Sequence, residues 1–202
     1  MKKTIFIIFF LFPIFLYSQS EVSIGMGVNF ENSSSLRDYV NFDIVGSDQL
    51  STFNSSVEFF GDFMFPLNQN LQLGLEYALS IFSVNTSLGV SLYELSYNHH
   101  KPSVILYYVL KGEGYKLKFG GGVGYRYITL DEKIISTTSY TTSGFGLLLR
   151  AEAHTLLSNN LFALISGDFR ADLPSEISKS DEKSIDLKSI AFGVKLGLSY
   201  NF

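Results

Sequence analysis

The chain closes on IAFGVKLGLSYNF, residues 190–202. Ile190, Phe192, Val194, Leu196, Leu198, Tyr200 and Phe202 alternate with Ala191, Gly193, Lys195, Gly197, Ser199 and Asn201. A period of two over this length is a β-strand with one apolar and one polar face. A water-soluble sheet buries its apolar face. A transmembrane barrel turns that face to lipid and the small or charged one to its lumen. The choice between those two solvents decides the fold.

The other end of the chain bears on the choice. Lys2 and Lys3 precede the apolar run Ile5 to Tyr17, and Ser18-Gln19-Ser20 follows it, with Ser18 and Ser20 at the −3 and −1 positions of a cleavage site. This is the pattern of a cleaved Sec leader over residues 1–20, too short for a spanning helix. The expected mature domain is 21–202. No cysteine is present, which excludes lipoprotein anchoring, disulfides and thiolate metal sites. After Ser20 no run of 18 apolar residues occurs, yet 46 % of the chain is apolar and only 17 % charged, with mean hydropathy +0.20. High hydrophobicity without long apolar runs is what barrel alternation produces. The formal net charge of −4 gives no reason to expect nucleic acid.

Eight alternating segments read as strands: 21–30, 53–66, 71–82, 92–110, 115–128, 144–157, 161–172 and 190–202. Leu71, Leu73, Leu75, Tyr77, Leu79 and Ile81 against Gln72, Gly74, Glu76, Ala78 and Ser80 is the cleanest. The segment around His99-His100-Lys101-Pro102 is the least regular, and Pro102, with no N–H, predicts a bulge or irregularity there. Tight turns are expected near Asn68, Gly112 and Asn159. Longer polar loops are expected at Glu31–Thr52, Ser83–Ser91, Asp131–Ser143 and Leu173–Ser189. Short turns on one side and longer loops on the other, joined by an even number of strands, predict an all-β, eight-stranded antiparallel transmembrane up-and-down β-barrel. Aromatic girdles are expected from Phe65, Tyr108, Tyr200 and Phe202 at the turn side and from Phe30, Phe53, Phe82, Tyr125 and Tyr127 at the loop side.

With the apolar track outward, the charges fall inward: Glu58, Asp62, Glu76, Glu152, Asp168 and Asp172 against Lys118, Arg126, Arg150, Arg170 and Lys195. Eight strands enclose a lumen only wide enough for side chains to fill. Near-balanced charges there are expected to neutralise one another and plug the barrel, since an unpaired buried charge costs several kcal/mol. A narrow ion path is the alternative.

Other chemistry is sparse. His99 and His100 are neighbours on a strand and point to opposite faces, which argues against a shared metal. His154 with Glu152 and Asp168 has the residue types of a base and its orienting acid, but no nucleophile lies at a telling spacing. The run FGGGVGYRY, residues 119–127, lacks the following helix that a phosphate cradle needs; its glycines are expected to relieve crowding or let the sheet bend. No catalytic residue, metal site or cofactor is expected.

Over the mature length the chain resembles the small outer-membrane β-barrels of Gram-negative bacteria, of the OmpX/OmpA-like and PorT-like kind. The resemblance rests on the leader, on PSVILYY (102–108), on FGGGVGY (119–125) and on the terminal LSYNF (198–202). It implies an outer-membrane location. It also implies that Leu198, Tyr200 and Phe202 form a C-terminal signature read by the barrel-assembly machinery. Outer-membrane lipids, that machinery and a protein partner at the loops are the implied partners, for a chain expected to be a monomer. A structural or surface-interaction role through the loops is the leading expectation. The alternatives are a PorT-like barrel assisting a secretion or assembly system, a small pore, and a soluble periplasmic barrel holding a lipid.

Overall fold

Each alternating segment pairs with the next until the last meets the first. In a computed structural model, residues 20–45, 54–88, 91–134, 136–180 and 183–202 are described. The expected leader, up to residue 19, and the expected girdle residue Phe53 lie outside them. The elements are β1 (Glu21–Asn32), a short helix α1 (Ser34–Asp38) running into a π-helical turn (Tyr39–Val45), β2 (Asn54–Pro66), β3 (Leu71–Leu88), β4 (Ser91–Gly112), β5 (Tyr115–Lys133), β6 (Thr137–Ser158), β7 (Leu161–Pro174), β8 (Ile177–Ser180), β9 (Lys183–Ile185) and β10 (Ser189–Asn201). Eight antiparallel strands close in the order β1-β10-β7-β6-β5-β4-β3-β2, and β8 pairs with β9 in a separate hairpin. The seam runs between β1 and β10, from Glu21↔Asn201 to Asn32↔Ile190. Among the described residues no helix is long and apolar enough to cross a membrane, which says nothing against crossing by strands.

One end of the barrel carries tight turns. Asn68 Oδ1 accepts the N–H groups of Asn70 and Leu71, both at 2.9 Å, closing the β2–β3 turn. Gly114 adopts φ +77° in the two-residue β4–β5 turn, where a side chain would strain the backbone. Along the walls above these turns parity sorts the side chains. Leu149, Ile24 and Leu196 on the outer face are 64, 63 and 62 % exposed, with Val123, Leu147, Ile165, Phe192 and Val194 around them. Apolar surface this continuous is not left facing water.

The strands run further than the sequence predicts. β3, β4, β5 and β6 span 18, 22, 19 and 22 residues, against 12 to 14 for the other four barrel strands. Crossing needs about 9–11. The expected loops at Ser83–Ser91 and Asp131–Ser143 are instead largely the ends of two long hairpins, so a four-stranded sheet projects beyond the belt. The reason is a reversal of pattern. Below it the apolar set points out; above it Phe82, Val84, Tyr93, Leu95, Tyr97, Ile128, Leu130 and Tyr140 point in, while Ser83, Asn85, Ser96 and Asn98 point out. The alternation persists, but its greasy track changes sides because the outer solvent changes from lipid to water. Phe82 therefore packs inside and not in a girdle.

The described parts of the two remaining loops are folded as well. Leu36 of α1, Val40 of the π-helical turn, and Ile177, Ile185 and Leu187 around the β8–β9 hairpin are all buried, in one cluster with the inner face of the projecting sheet. This apolar cap lies over the mouth. Leu95→Ala is expected to cost about 2–5 kcal/mol, as for other large-to-small changes in a core. Limited proteolysis should then cut within 175–188 while the barrel below keeps its resistance.

Pro102 introduces no bulge. It stands opposite Tyr77 in an unbroken β3–β4 register. On the β5 side pairing lapses between His100↔Tyr127 and Ser103↔Gly124 and resumes in the same register. The missing donor interrupts the ladder without inserting a residue. The irregularity expected at Pro102 is thus this lapse in pairing, and among the barrel strands a shift of register lies between Leu156 and Ser158, beside the β6–β7 turn.

Candidate functional site

The inner wall gathers eight buried carboxylates, seven buried Lys or Arg side chains and two buried histidines among the described residues. They form three tiers. Nearest the turns, Glu21 accepts from Lys118 Nζ at 2.7 Å, Lys116 Nζ at 3.0 Å and Ser199 Oγ at 2.5 Å. His154 lies 3.0 Å from Glu152 and 3.5 Å from Glu21. Lys116 Nζ also donates to Asn201 Oδ1 at 2.9 Å and stands 4.0 Å over the Phe162 ring.

The middle tier is the densest. Arg150 pairs with Glu76, with Asp168 at 3.1 Å, Asp62 at 3.5 Å and Glu152 at 3.6 Å. Arg170 Nη2 reaches Glu76 and Asp168, both at 2.8 Å, and Glu58 at 3.7 Å. Lys195 bridges Glu58 at 2.5 Å and Asp168 at 2.7 Å, and Lys101 meets Glu58 at 3.0 Å. Tyr107 is threaded between, donating to Glu152 at 3.4 Å and accepting from Arg150 at 3.3 Å. Its ring occupies the space a side chain at Gly120 would need: a Cβ there would stand 2.6 Å from Tyr107 Cδ1. Relief of crowding is thus one use of the glycines in FGGGVGY.

Toward the mouth, Arg126 pairs with Asp172 and donates to Ser103 Oγ at 3.1 Å. Gly146 leaves room for this pair, since a Cβ would collide with both partners. His99 lies 3.8 Å from Asp172 and 3.1 Å from the Tyr97 hydroxyl, which donates to Glu31 at 3.0 Å. Above this the cap begins. There Glu132 accepts from Tyr93 at 3.0 Å and Tyr39 at 3.5 Å. Burial, and next the Glu132 carboxylate, hold the Tyr93 phenol well above its usual range.

All eleven charged residues read from the sequence lie on this inner wall: Glu58, Asp62, Glu76, Lys118, Arg126, Arg150, Glu152, Asp168, Arg170, Asp172 and Lys195. Sequence reasoning missed Glu21, Glu31, Lys101 and Lys116. Parity alone places Glu21 with Ser23 and Lys116 with Lys118. Lys101 was hidden because the strand around Pro102 lacks a clean alternation. His99 faces in and His100 faces out, where its Nδ1 sits 2.6 Å from the Tyr77 hydroxyl. The pairing of His154 with Asp168 does not form; Asp168 belongs to Arg150, Arg170 and Lys195. Among the described residues no group of three or more His, Cys, Asp or Glu is arranged to hold a metal ion.

Leu198 and Tyr200 point outward on β10, and Phe202 follows the strand with its ring 5.2 Å from that of Tyr200. A closed eight-stranded barrel with an outward apolar belt, inward charges and tight turns at one end has close structural counterparts. The outer-membrane protein OprG of Pseudomonas aeruginosa superposes with a TM-score of 0.59 at 16 % identity, over 92 % of this chain and 96 % of that one. Neisserial surface protein A gives 0.58 at 10 %, over 91 % and 97 %. Ail, the attachment invasion locus protein of Yersinia pestis, solved in complex with the heparin analogue sucrose octasulfate, gives 0.57 at 14 %, over 91 % and 98 %. The fold is that of the small outer-membrane β-barrels. Sequence comparison finds no matching family model and no matching curated protein. The shared architecture and the exposed apolar belt together place the chain in the bacterial outer membrane, and its outer wall against lipid.

Proposed function

We propose that the protein is a structural and surface-interaction barrel, closed to ions and making its contacts through the part that projects beyond the lipid. The filled lumen is supported by the three tiers of paired charges with the apolar cap above them. In this reading the network is structural: each carboxylate neutralises a base that could not otherwise be buried. Refolded protein in a planar bilayer is expected to give no single-channel steps. Reproducible steps would overturn the closed-lumen reading.

The contact role is carried by one observation, an open edge of the projecting sheet along β6. β6 pairs with β5 from Thr137 onward but with β7 only from Gly144 downward. Ser143 accepts the Ser175 N–H at 2.9 Å. From Thr137 to Thr141 no strand among the described residues pairs on that side, while Thr142 Oγ1 donates to the Ser175 carbonyl at 2.6 Å. The edge reads TTSYT, rich in β-formers and without the lysine or proline that usually blunts such edges. An extended peptide adding itself as a further strand is the partner chemistry this edge fits. Peptides selected from a displayed random library on the refolded protein are expected to lose capture when exposed Thr138 and Thr141 are both changed to lysine. Binders indifferent to that pair of changes would count against the edge as the contact site.

A further inference from the structure

An imidazole interrupts the outer wall where the belt ends. His100 faces out on β4, opposite Leu79 of β3 and Tyr127 of β5. Below it on β4 and β5 the exposed outward residues are Val104, Leu106, Tyr125 and Val123. Directly above it Asn98 stands opposite Thr129, and the face turns polar. His100 therefore sits level with the lipid headgroups of the leaflet beside the projecting sheet. A side chain that can carry charge is costly on a lipid-facing wall, and an aromatic girdle needs only phenols at this level.

The ring lies between two phenols, its centroid 6.1 Å from that of Tyr77 and 5.9 Å from that of Tyr127. Nδ1 is 2.6 Å from the Tyr77 hydroxyl. If the phenol donates, Nε2 keeps the proton of the neutral ring and a single donor is left over. The reverse tautomer would strand both the Tyr77 O–H and a bare Nε2, and unmade hydrogen bonds away from water are costly. In the imidazolium both ring nitrogens donate. Nε2–H is thus a donor in either charge state. Neither it nor the Tyr127 hydroxyl has a hydrogen-bond partner among the described residues. The first carboxylate on this face, Asp131, stands opposite Ser96, a further step from the belt.

We propose that His100, held by Tyr77, and Tyr127 form a seat for the phosphate of one lipid headgroup. Its oxygens accept from Nε2–H and from the Tyr127 hydroxyl, in bonds strengthened by the charge of the phosphate. A phospholipid and a phosphorylated sugar lipid both carry that group.

Native mass spectrometry tests the seat on protein extracted from the outer-membrane fraction in mild detergent and given phosphatidylglycerol, lipid A or diacylglycerol in turn. One phosphate-bearing lipid is expected to stay on the barrel at a concentration where diacylglycerol, which has ester carbonyls but no phosphate, does not. Retention of phosphatidylglycerol alone assigns the seat to a phospholipid, of lipid A alone to a phosphorylated sugar, and of both to the phosphate itself; each supports the proposal. His100→Phe keeps an aromatic ring toward lipid and is expected to lower retention roughly tenfold. Tyr77→Phe, which only frees the imidazole, is expected to lower it less. Leu106→Ala, deeper on the same face of β4, is expected to change nothing. Equal retention of diacylglycerol, or no retention of either phosphate lipid, overturns the assignment on the parent chain without any variant. Full retention by His100→Phe, or an equal loss in Leu106→Ala, overturns it as well. None of these readouts depends on what the projecting sheet binds.

Discussion

Arg170→Met is expected to lower the stability of the barrel by about 3–5 kcal/mol, the cost of stripping one partner from a buried ion network. Arg170 is fully enclosed and serves Glu76, Asp168 and, at longer range, Glu58. Methionine nearly fills the same volume, so the loss is electrostatic more than steric. Arg150, Lys195 and, at Glu58, Lys101 would be left to balance carboxylates that four bases now share. The urea midpoint of refolded protein, followed by loss of the fast-migrating folded band, reports the change. Adding Glu76→Gln to Arg170→Met removes one orphaned charge and is expected to recover part of the loss. No recovery would mean that the pairing is incidental and that the defect is one of packing.

The second large effect concerns the outer wall. Leu149→Arg, in the middle of the β6 belt, is expected to cost about 2–4 kcal/mol in a bilayer, since the guanidinium must be drawn into hydrocarbon. Leu149 is 64 % exposed. On a water-facing surface the same change would fall within about 0.5 kcal/mol. Ser96→Arg provides the internal contrast. It lies on the outer face of β4, above the reversal of pattern, and is expected to be nearly neutral. Equal and small effects at both positions would show that lipid does not cover the belt.

These two substitutions probe the part of the fold that was legible in the sequence. Strand number, parity and the inward course of the charges follow from alternation, because a wall with two solvents writes one residue type on each face. The limits of the strands did not follow. Above the lipid the outer solvent is water, so Ser83 and Asn85 make the segment look like a loop when it is still strand. Only the phase of Phe82 and Val84, and of Tyr93, Leu95 and Tyr97, betrays the continuation. The cap was illegible for another reason. Leu36, Val40, Ile177, Ile185 and Leu187 are scattered among polar residues, and their common burial comes from long-range packing onto the projecting sheet. Lys101 entered the lumen unseen because a proline beside it suggested a bulge that the register does not contain.

Function was the least legible layer. A filled lumen needs no motif, only complementary charges whose order along the chain is free. An open strand edge such as Thr137 to Thr141 is visible only once the neighbouring strand is known to stop at Pro174.

This chain is a closed barrel in the outer membrane with its apolar face to lipid. The most direct measurement is electrophoretic mobility of the protein from the outer-membrane fraction, unboiled against boiled. A closed barrel with an interlocked interior resists detergent until heated, so a faster unboiled band that shifts on boiling is the predicted result. Recovery from the soluble periplasm with identical mobility before and after heating would rule this out, and would require the same apolar positions to face a core or a ligand.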